Sequence, residues 1–220
     1  MARTALPSGT PVELEMPPEG EPRRAVVLAP DVMGLRPLFD DMCAQLAADH
    51  AWAMCAVEPF PNDTRDLQQR LAGALELERQ LGDLQAAADL VQERTGVGRV
   101  AVLGFCMGGM NVMRVAGTGR FDKAVPFYGM VRPPGPWGEP GNDPLDALAR
   151  TECCPVLAIF GGGDIWTPAA DIEAAENAGP HVTAHVYDGA EHGFVHDPSR
   201  PAHRADAAAD AWRRVVEFLA

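Results

Sequence analysis

The chain has no apolar run approaching the roughly 20 residues that a membrane-spanning helix requires. Its opening segment, MARTALPSGTPVELEMPPEG, also lacks the apolar core of a secretory signal. The expected location is therefore cytoplasmic, with no membrane partner. Basic residues are scarce: 18 Lys and Arg stand against 31 Asp and Glu, a formal net charge of −13. Nucleic-acid phosphates and anionic lipid headgroups would both be repelled, so neither is an expected partner, and the acidity serves solubility. Disulfide and metal chemistry find little support. The five cysteines (Cys43, Cys55, Cys106, Cys153 and Cys154) are odd in number and match no disulfide framework, and there is no CxxC or HExxH pattern. Cys43 and Cys55 fall in an expected helix and an expected strand and read as small buried hydrophobes. Cys153 and Cys154, just before Pro155, read as structural residues at a strand entrance.

Repeats, linkers and low-complexity segments are missing too, so 220 residues with 47% hydrophobic side chains suit one α/β domain. Short β-rich runs alternate with longer helical ones, the pattern of a mostly parallel sheet with helices on both faces. Expected strands are Val12–Met16, Ala25–Ala29, Ala53–Val57, Arg99–Leu103, Lys123–Phe127, Val156–Phe160 and Thr183–Tyr187. Expected helices are Leu38–Ala48, Asp66–Arg94, Met107–Ala116, Ala169–Asn177 and Arg204–Leu219. The second is too long to run unbroken, and Gly73 and Gly82 are the expected breaks. The proline- and glycine-rich segment Val131–Asp143 is expected to be a loop. In such folds sites form where the chain leaves the carboxyl ends of parallel strands, so chemistry is sought there.

The strongest local signal is Arg99-Val-Ala-Val-Leu-Gly-Phe-Cys-Met-Gly-Gly109. A β-branched run ends in Gly104-x-Cys106-x-Gly108 and passes into a helical pattern, a nucleophile elbow with cysteine in place of serine. Small residues two before and two after the nucleophile let the chain cross itself. The helix starting at Cys106 would favour a thiolate, and the amide of Met107 would face a developing oxyanion. The motif is not a dinucleotide fingerprint, since Cys106 occupies the place of a required glycine.

An acid and a base then follow, each after a later strand. Val156-Leu-Ala-Ile-Phe-Gly-Gly-Gly-Asp164 runs into a glycine turn ending in aspartate, and Val186-Tyr-Asp-Gly-Ala-Glu-His192-Gly-Phe194 places a histidine in a loop. The order nucleophile, acid, base is that of α/β-hydrolases. His192 would take the thiol proton and Asp164 would fix its tautomer. Taken singly, Asp164 also reads as a helix cap ahead of Pro168 and His192 as a loop histidine without a role.

Gly-Phe-Cys-Met-Gly-Gly, Phe-Gly-Gly-Gly-Asp and Ala-Glu-His-Gly-Phe, in this order, resemble the dienelactone hydrolase (carboxymethylenebutenolidase) family, from about Ala25 to Leu219. The resemblance implies Cys106, Asp164 and His192 as the catalytic residues, a small ester or lactone substrate, and no metal or organic cofactor. Ala29-Pro-Asp31-Val-Met-Gly34 resembles the loop where the family carries a glutamate that modulates the thiol. Here the acid is Asp31, one methylene shorter, and capping of the next helix is its competing reading. The same loop implies the amide of Val32 as second oxyanion donor, and Pro126-Phe-Tyr128-Gly resembles the strand end whose tyrosine lines the pocket. The family holds a substrate carboxylate with two arginines. One falls four residues after the histidine, where this chain has His196; Arg65 or Arg70 stands in for the other. Histidine binds a carboxylate only when protonated, so the triad is more legible than the substrate.

Other small esters within the enzyme class, a non-catalytic binding protein on the same fold, and a redox-sensing Cys106 are the competing readings. An ester panel separates the first two. The redox reading does not need Asp164 or His192. A monomer or a small homo-oligomer both suit the sequence.

Overall fold

The computed structural model describes residues 2–138 and 141–220. Its strands are β1 (Ala2–Ala5), β2 (Pro11–Glu15), β3 (Arg24–Ala29), β4 (Trp52–Val57), β5 (Val100–Phe105), β6 (Lys123–Phe127), β7 (Val156–Gly161) and β8 (Val182–Tyr187). They form one sheet in the order β1-β2-β4-β3-β5-β6-β7-β8. Only β1–β2 and β2–β4 pair antiparallel; every later pairing is parallel. The helices are α1 (Pro37–His50), α2 (Leu67–Ala72), α3 (Leu77–Thr95), α4 (Met107–Ala116), α5 (Pro144–Leu148), α6 (Ala169–Glu176) and α7 (Ala205–Leu219).

Strands buried on both faces need apolar side chains at every position rather than at alternate ones. β3, β4 and β5 satisfy this with RAVVLA, WAMCAV and VAVLGF, all fully buried. Arg24, the polar exception, is neutralised by Asp122 through two 2.9 Å contacts. Val26, Leu28, Met54 and Leu103 point to the face covered by Phe39 and Cys43 of α1 and Ala211 and Val215 of α7. Val27, Cys55 and Val102 point to the opposite face, against Leu84 and Ala88 of α3, Val112 of α4 and Ile172 of α6. The two apolar layers sandwich the sheet, as the alternating pattern requires.

All seven expected strands form, with ends displaced by a residue or two, the usual imprecision of boundaries. Two elements were not expected. β1 is short and carries no apolar alternation, and it forms by pairing Arg3 with Glu13 and Thr4 with Val12. α5 is little more than one turn, capped by Asp143 on the amide of Leu145. The long expected helix divides at Gly73, which ends α2, while Gly82 lies inside an unbroken α3. A Cβ at Gly82 would meet nothing within 4 Å, so no packing contact there interrupts the helix. Within the expected loop Val131–Asp143 the chain makes a short 3-10 turn at Gly135–Trp137, and residues 139 and 140 lie outside the described residues. Among the described residues no helix is long and apolar enough to cross a membrane.

Leu103 sits at the middle of the central strand with no exposed surface. Leu103→Ala is expected to cost about 2–5 kcal/mol in urea unfolding, the range for a buried leucine that leaves a cavity.

Candidate active site

β5 ends at Phe105 and α4 begins at Met107, leaving Cys106 alone to turn the chain. Its backbone sits at φ 56°, ψ −118°. A non-glycine residue held there costs about 1–3 kcal/mol, a strain that persists only where surrounding contacts impose it. They are visible: the Cys106 amide donates to the Phe127 carbonyl at 3.0 Å, and its carbonyl accepts from Met110 at 2.9 Å. The turn also brings α4 against the end of β3. A Cβ on Gly108 would lie 2.1 Å from the Ala29 carbonyl oxygen and 2.4 Å from that of Pro30. Gly108 is therefore the condition for the crossing. The first-turn amides of α4, beginning with Met107, have no acceptor within the helix. Val32, in the loop after β3, is buried in one apolar cluster with Phe60, Met107, Met130 and Trp137, against which the half-buried Cys106 packs.

Asp164 follows β7 through Gly161-Gly162-Gly163. A Cβ on Gly161 would stand 2.3 Å from the Ala190 carbonyl, and the Gly163 amide donates to that same carbonyl at 2.9 Å. The glycines thus let the loop after β8 close over the loop after β7, which carries His192 onto Asp164. Nδ1 of His192 lies 2.7 Å from Oδ2 of Asp164, whose other oxygen accepts from the Trp166 amide at 2.9 Å. The Asp164 side chain is fully buried. Cys106 is near enough to act on the protonation of His192, and with Nδ1 taken by Asp164, the ring nitrogen left for the sulfur is Nε2. Burial pulls the His192 pKa down, but hydrogen bonds and charge from Asp164 and Cys106 outweigh it and hold it up at about 9. Cys106, His192 and Asp164, chosen from sequence, thus lie together, with His192 and Asp164 joined by a hydrogen bond.

The outer residues sit differently. Asp31 has both carboxylate oxygens engaged. Its Oδ1 accepts from the Met33 amide and Arg36, and its Oδ2 from Arg36 and His196. Burial opposes its charge, but the hydrogen bonds from His196 and Arg36 prevail and lower its pKa to about 2. His196 does not face substrate. Its side chain has no exposed surface, Nε2 is 2.9 Å from Asp31, and Nδ1 meets the Tyr128 hydroxyl. Its pKa is lowered, chiefly by burial, which keeps it neutral.

Tyr128 does not line an open pocket. It is fully buried, at φ 37°, with its ring set edge-on to His192 at 5.2 Å. The two arginine candidates, Arg65 and Arg70, are both engaged. Arg65 pairs with Asp63 at 2.9 Å. Arg70 donates to the carbonyls of Val32 at 3.3 Å and Met33 at 3.2 Å and lies over the Phe60 ring.

Sequence reasoning missed Arg36 and Glu58. The Glu58 carboxylate accepts from the amides of Leu35 and Phe60, pinning the loop that bears Val32 to the end of β4. Neither residue has a motif around it. A charged residue just past a strand end in an α/β chain is the only hint. Among the described residues no group of three or more His, Cys, Asp or Glu is arranged to hold a metal ion.

A mostly parallel sheet whose central strand turns through the strained Cys106 into a helix, with Asp164 and His192 after later strands, defines an α/β-hydrolase fold. A Klebsiella pneumoniae structure bearing a provisional dienelactone hydrolase name superposes with a TM-score of 0.88 at 22% identity, covering 99% of this chain and 97% of that one. Carboxymethylenebutenolidase of Pseudomonas putida is 27% identical over 92% of this chain and 88% of its own length. A Methylorubrum extorquens protein provisionally given that name is 30% identical over 95% of this chain and 76% of its own. The model of the dienelactone hydrolase family matches residues 13–220. The chain belongs to that family, hydrolases of small lactones and esters.

Cys106→Ala removes two of the influences that raise the His192 pKa and leaves burial in place. An imidazole NMR titration should find the pKa below about 9. A raised histidine pKa contributes stability that is complete below the unfolded value near 6.5 and lost as pH rises through about 9. The urea midpoint of the wild type should fall across that window, and that of Cys106→Ala should fall less.

Proposed function

We propose that this chain hydrolyses small, uncharged carboxylic esters or lactones through Cys106, His192 and Asp164, by way of a thioester acyl-enzyme. The observation that carries the reading is His192 held by Asp164 at 2.7 Å, with Cys106 among the groups that raise its pKa. Asp164 accepts the hydrogen bond of Nδ1–H, which leaves Nε2 as the acceptor of the thiol proton. Sγ attacks the carbonyl carbon, and the oxyanion develops toward the amides of Met107 and Val32. One such donor is worth about 100- to 1000-fold in rate. The C–O bond breaks as His192 returns the proton to the departing alkoxide; in a lactone that alcohol stays tethered to the acyl group. Water, giving a proton to His192, then attacks the thioester and releases the carboxylic acid and Cys106.

The cationic side chains around the site support an uncharged substrate. Arg36 is forked on Asp31, Arg65 is held by Asp63, Arg70 is turned to backbone carbonyls, and His196 is buried and neutral. Meanwhile Met33, Leu67, Leu71, Ile165 and Trp166, all following strands at this edge, expose large apolar surface. Large apolar side chains left exposed beyond the carboxyl ends of the strands suit an uncharged ligand better than an ionic one. Arg200, whose guanidinium lies against Gly193 beside His192, has no acidic partner among the described residues. It is the residue to vary if an anionic ester proves the better substrate.

Wild type given a slow neutral ester should gain the acyl mass on intact-protein analysis, and Cys106→Ala should neither gain it nor turn over. A neutral ester should exceed its carboxylate-bearing counterpart in kcat/KM by about tenfold, near 1.4 kcal/mol. Turnover that survives Cys106→Ala would overturn the cysteine mechanism. A preference for the anionic ester that disappears in Arg200→Gln would overturn the uncharged class.

A further inference from the structure

We propose that Tyr128 and His196 are positioning residues: the buried chain Arg36–Asp31–His196–Tyr128 ties the loop bearing Val32 to the imidazole of His192. The proposal rests on the reading of Cys106, His192 and Asp164 given above.

The chain begins in the loop after β3. Arg36 holds Asp31 with both terminal nitrogens, at 2.7 and 2.9 Å, and Asp31 accepts from the amide of Met33 at 2.9 Å. Those two contacts fix the turn in which Val32 lies between Asp31 and Met33. The second oxygen of Asp31 meets Nε2 of His196 at 2.9 Å. His196 packs against the rings of Phe105, at 4.8 Å, and Phe39, at 5.9 Å, which also meet each other at 5.9 Å. Its Nδ1 meets the hydroxyl of Tyr128, and the ring of Tyr128 stands edge-on against His192 at 5.2 Å and 65°.

The direction of every hydrogen bond is determined. Asp31 is ionised, so Nε2 of His196 carries the proton and donates. The histidine is neutral, so Nδ1 is an acceptor, and the phenol, held protonated by burial, donates to it. One tautomer satisfies all members at once. Without the histidine, the Tyr128 hydroxyl and one Asp31 oxygen would both lose a buried partner. Tyr128 also has a strained backbone at φ 37°, so its ring is held by surroundings rather than by local preference.

What this arrangement can do is set the distance between two parts of one reaction. The oxyanion donor lies on the β3 loop and the base lies on the β8 loop. Asp164 fixes His192 in its plane through Nδ1 but leaves its tilt to whatever touches the ring face and edge. Tyr128 is that contact, and the chain behind it fixes where Tyr128 stands relative to Val32. The polar atoms of these four residues are engaged with one another, so their effect passes through the placement of others.

The test compares Tyr128→Phe, His196→Phe, His196→Gln and the double variant Tyr128→Phe/His196→Phe, all full-length, on one neutral ester. Each Phe variant should lower kcat about tenfold while KM moves less than twofold. The double variant should lose no more than the worse single one, because both break one chain. His196→Gln offers one donor and one acceptor and should recover kcat to within about threefold of wild type. In the Phe variants the His192 pKa should also fall from about 9, since the hydrogen bonds that raise it loosen. Thermal melts identify any variant that is unfolded at the assay temperature; Tyr128→Phe and His196→Gln, the conservative pair, then decide. Phe variants that keep kcat within twofold, or losses that multiply in the double variant, overturn the proposal. Activity that persists in Cys106→Ala overturns the underlying mechanism instead, so the two failures are distinct.

Discussion

The crossing of β5, Cys106 and α4 over the end of β3 is the constraint on which the rest of the site depends. Two backbones pass so closely there that a methyl group on Gly108 would stand 2.1 Å from the Ala29 carbonyl oxygen. Packed interiors do not absorb such overlap. The closeness turns Cys106 outward at an unfavourable φ and aims the free amides at the start of α4 beneath it. It also presses α4 into the sheet, where all ten of its residues are buried. A helix buried on all sides cannot shift without disturbing β3, β6 and α5, which pack against it. The strain at Cys106 is therefore held by the whole core, and Asp164 and His192 need only be delivered to a point already fixed.

Two histidine–aspartate pairs lie four residues apart in sequence and behave in opposite ways. His192 with Asp164 has a raised pKa; His196 with Asp31 has a lowered one. Distance does not separate them, since the contacts are 2.7 and 2.9 Å. The difference is what else each carboxylate and ring must satisfy. Asp164 has no arginine, and His192 gains a second favourable contact in Cys106. Asp31 is already balanced by the guanidinium of Arg36, so little of its charge is left to draw a proton onto a ring with no exposed surface. One pair is suited to proton transfer, the other to holding a neutral tautomer.

The parallel strands and the Cys106, Asp164 and His192 positions were legible because each rests on a local pattern. Unbroken apolar runs such as WAMCAV need burial on both faces, and glycines beside Cys106 and before Asp164 mark turns that only small residues allow. β1 was not legible, because Arg3 and Thr4 form a strand only by pairing with β2. Nor was the continuity of α3 through Gly82, which follows from apolar contacts at Leu77, Leu84, Ala88 and Val91 on either side of the glycine. The partners of Asp31, Tyr128 and His196 escaped the sequence for one cause. Each depends on a partner 68 or 165 residues away in sequence, a separation no periodicity encodes. Arg36, only five residues from Asp31, escaped notice for a different reason: only when Asp31 is seen buried does a nearby guanidinium become necessary.

The resemblance to dienelactone hydrolases implies an arginine four residues after the catalytic histidine, and this chain has His196 there. An arginine is charged at every relevant pH, and in that position it would bring its own cation to Asp31. A neutral histidine brings none, and a buried carboxylate without a cation is costly. Arg36 meets that need from the other side of Asp31, from a helix start rather than from the β8 loop. The substitution thus moves the positive charge from beside the base to the far end of the Asp31 side chain. Its consequence is local to chemistry: the acid is still paired, the fold is still satisfied, and the cation that could have met an anionic substrate is held where it pairs with Asp31.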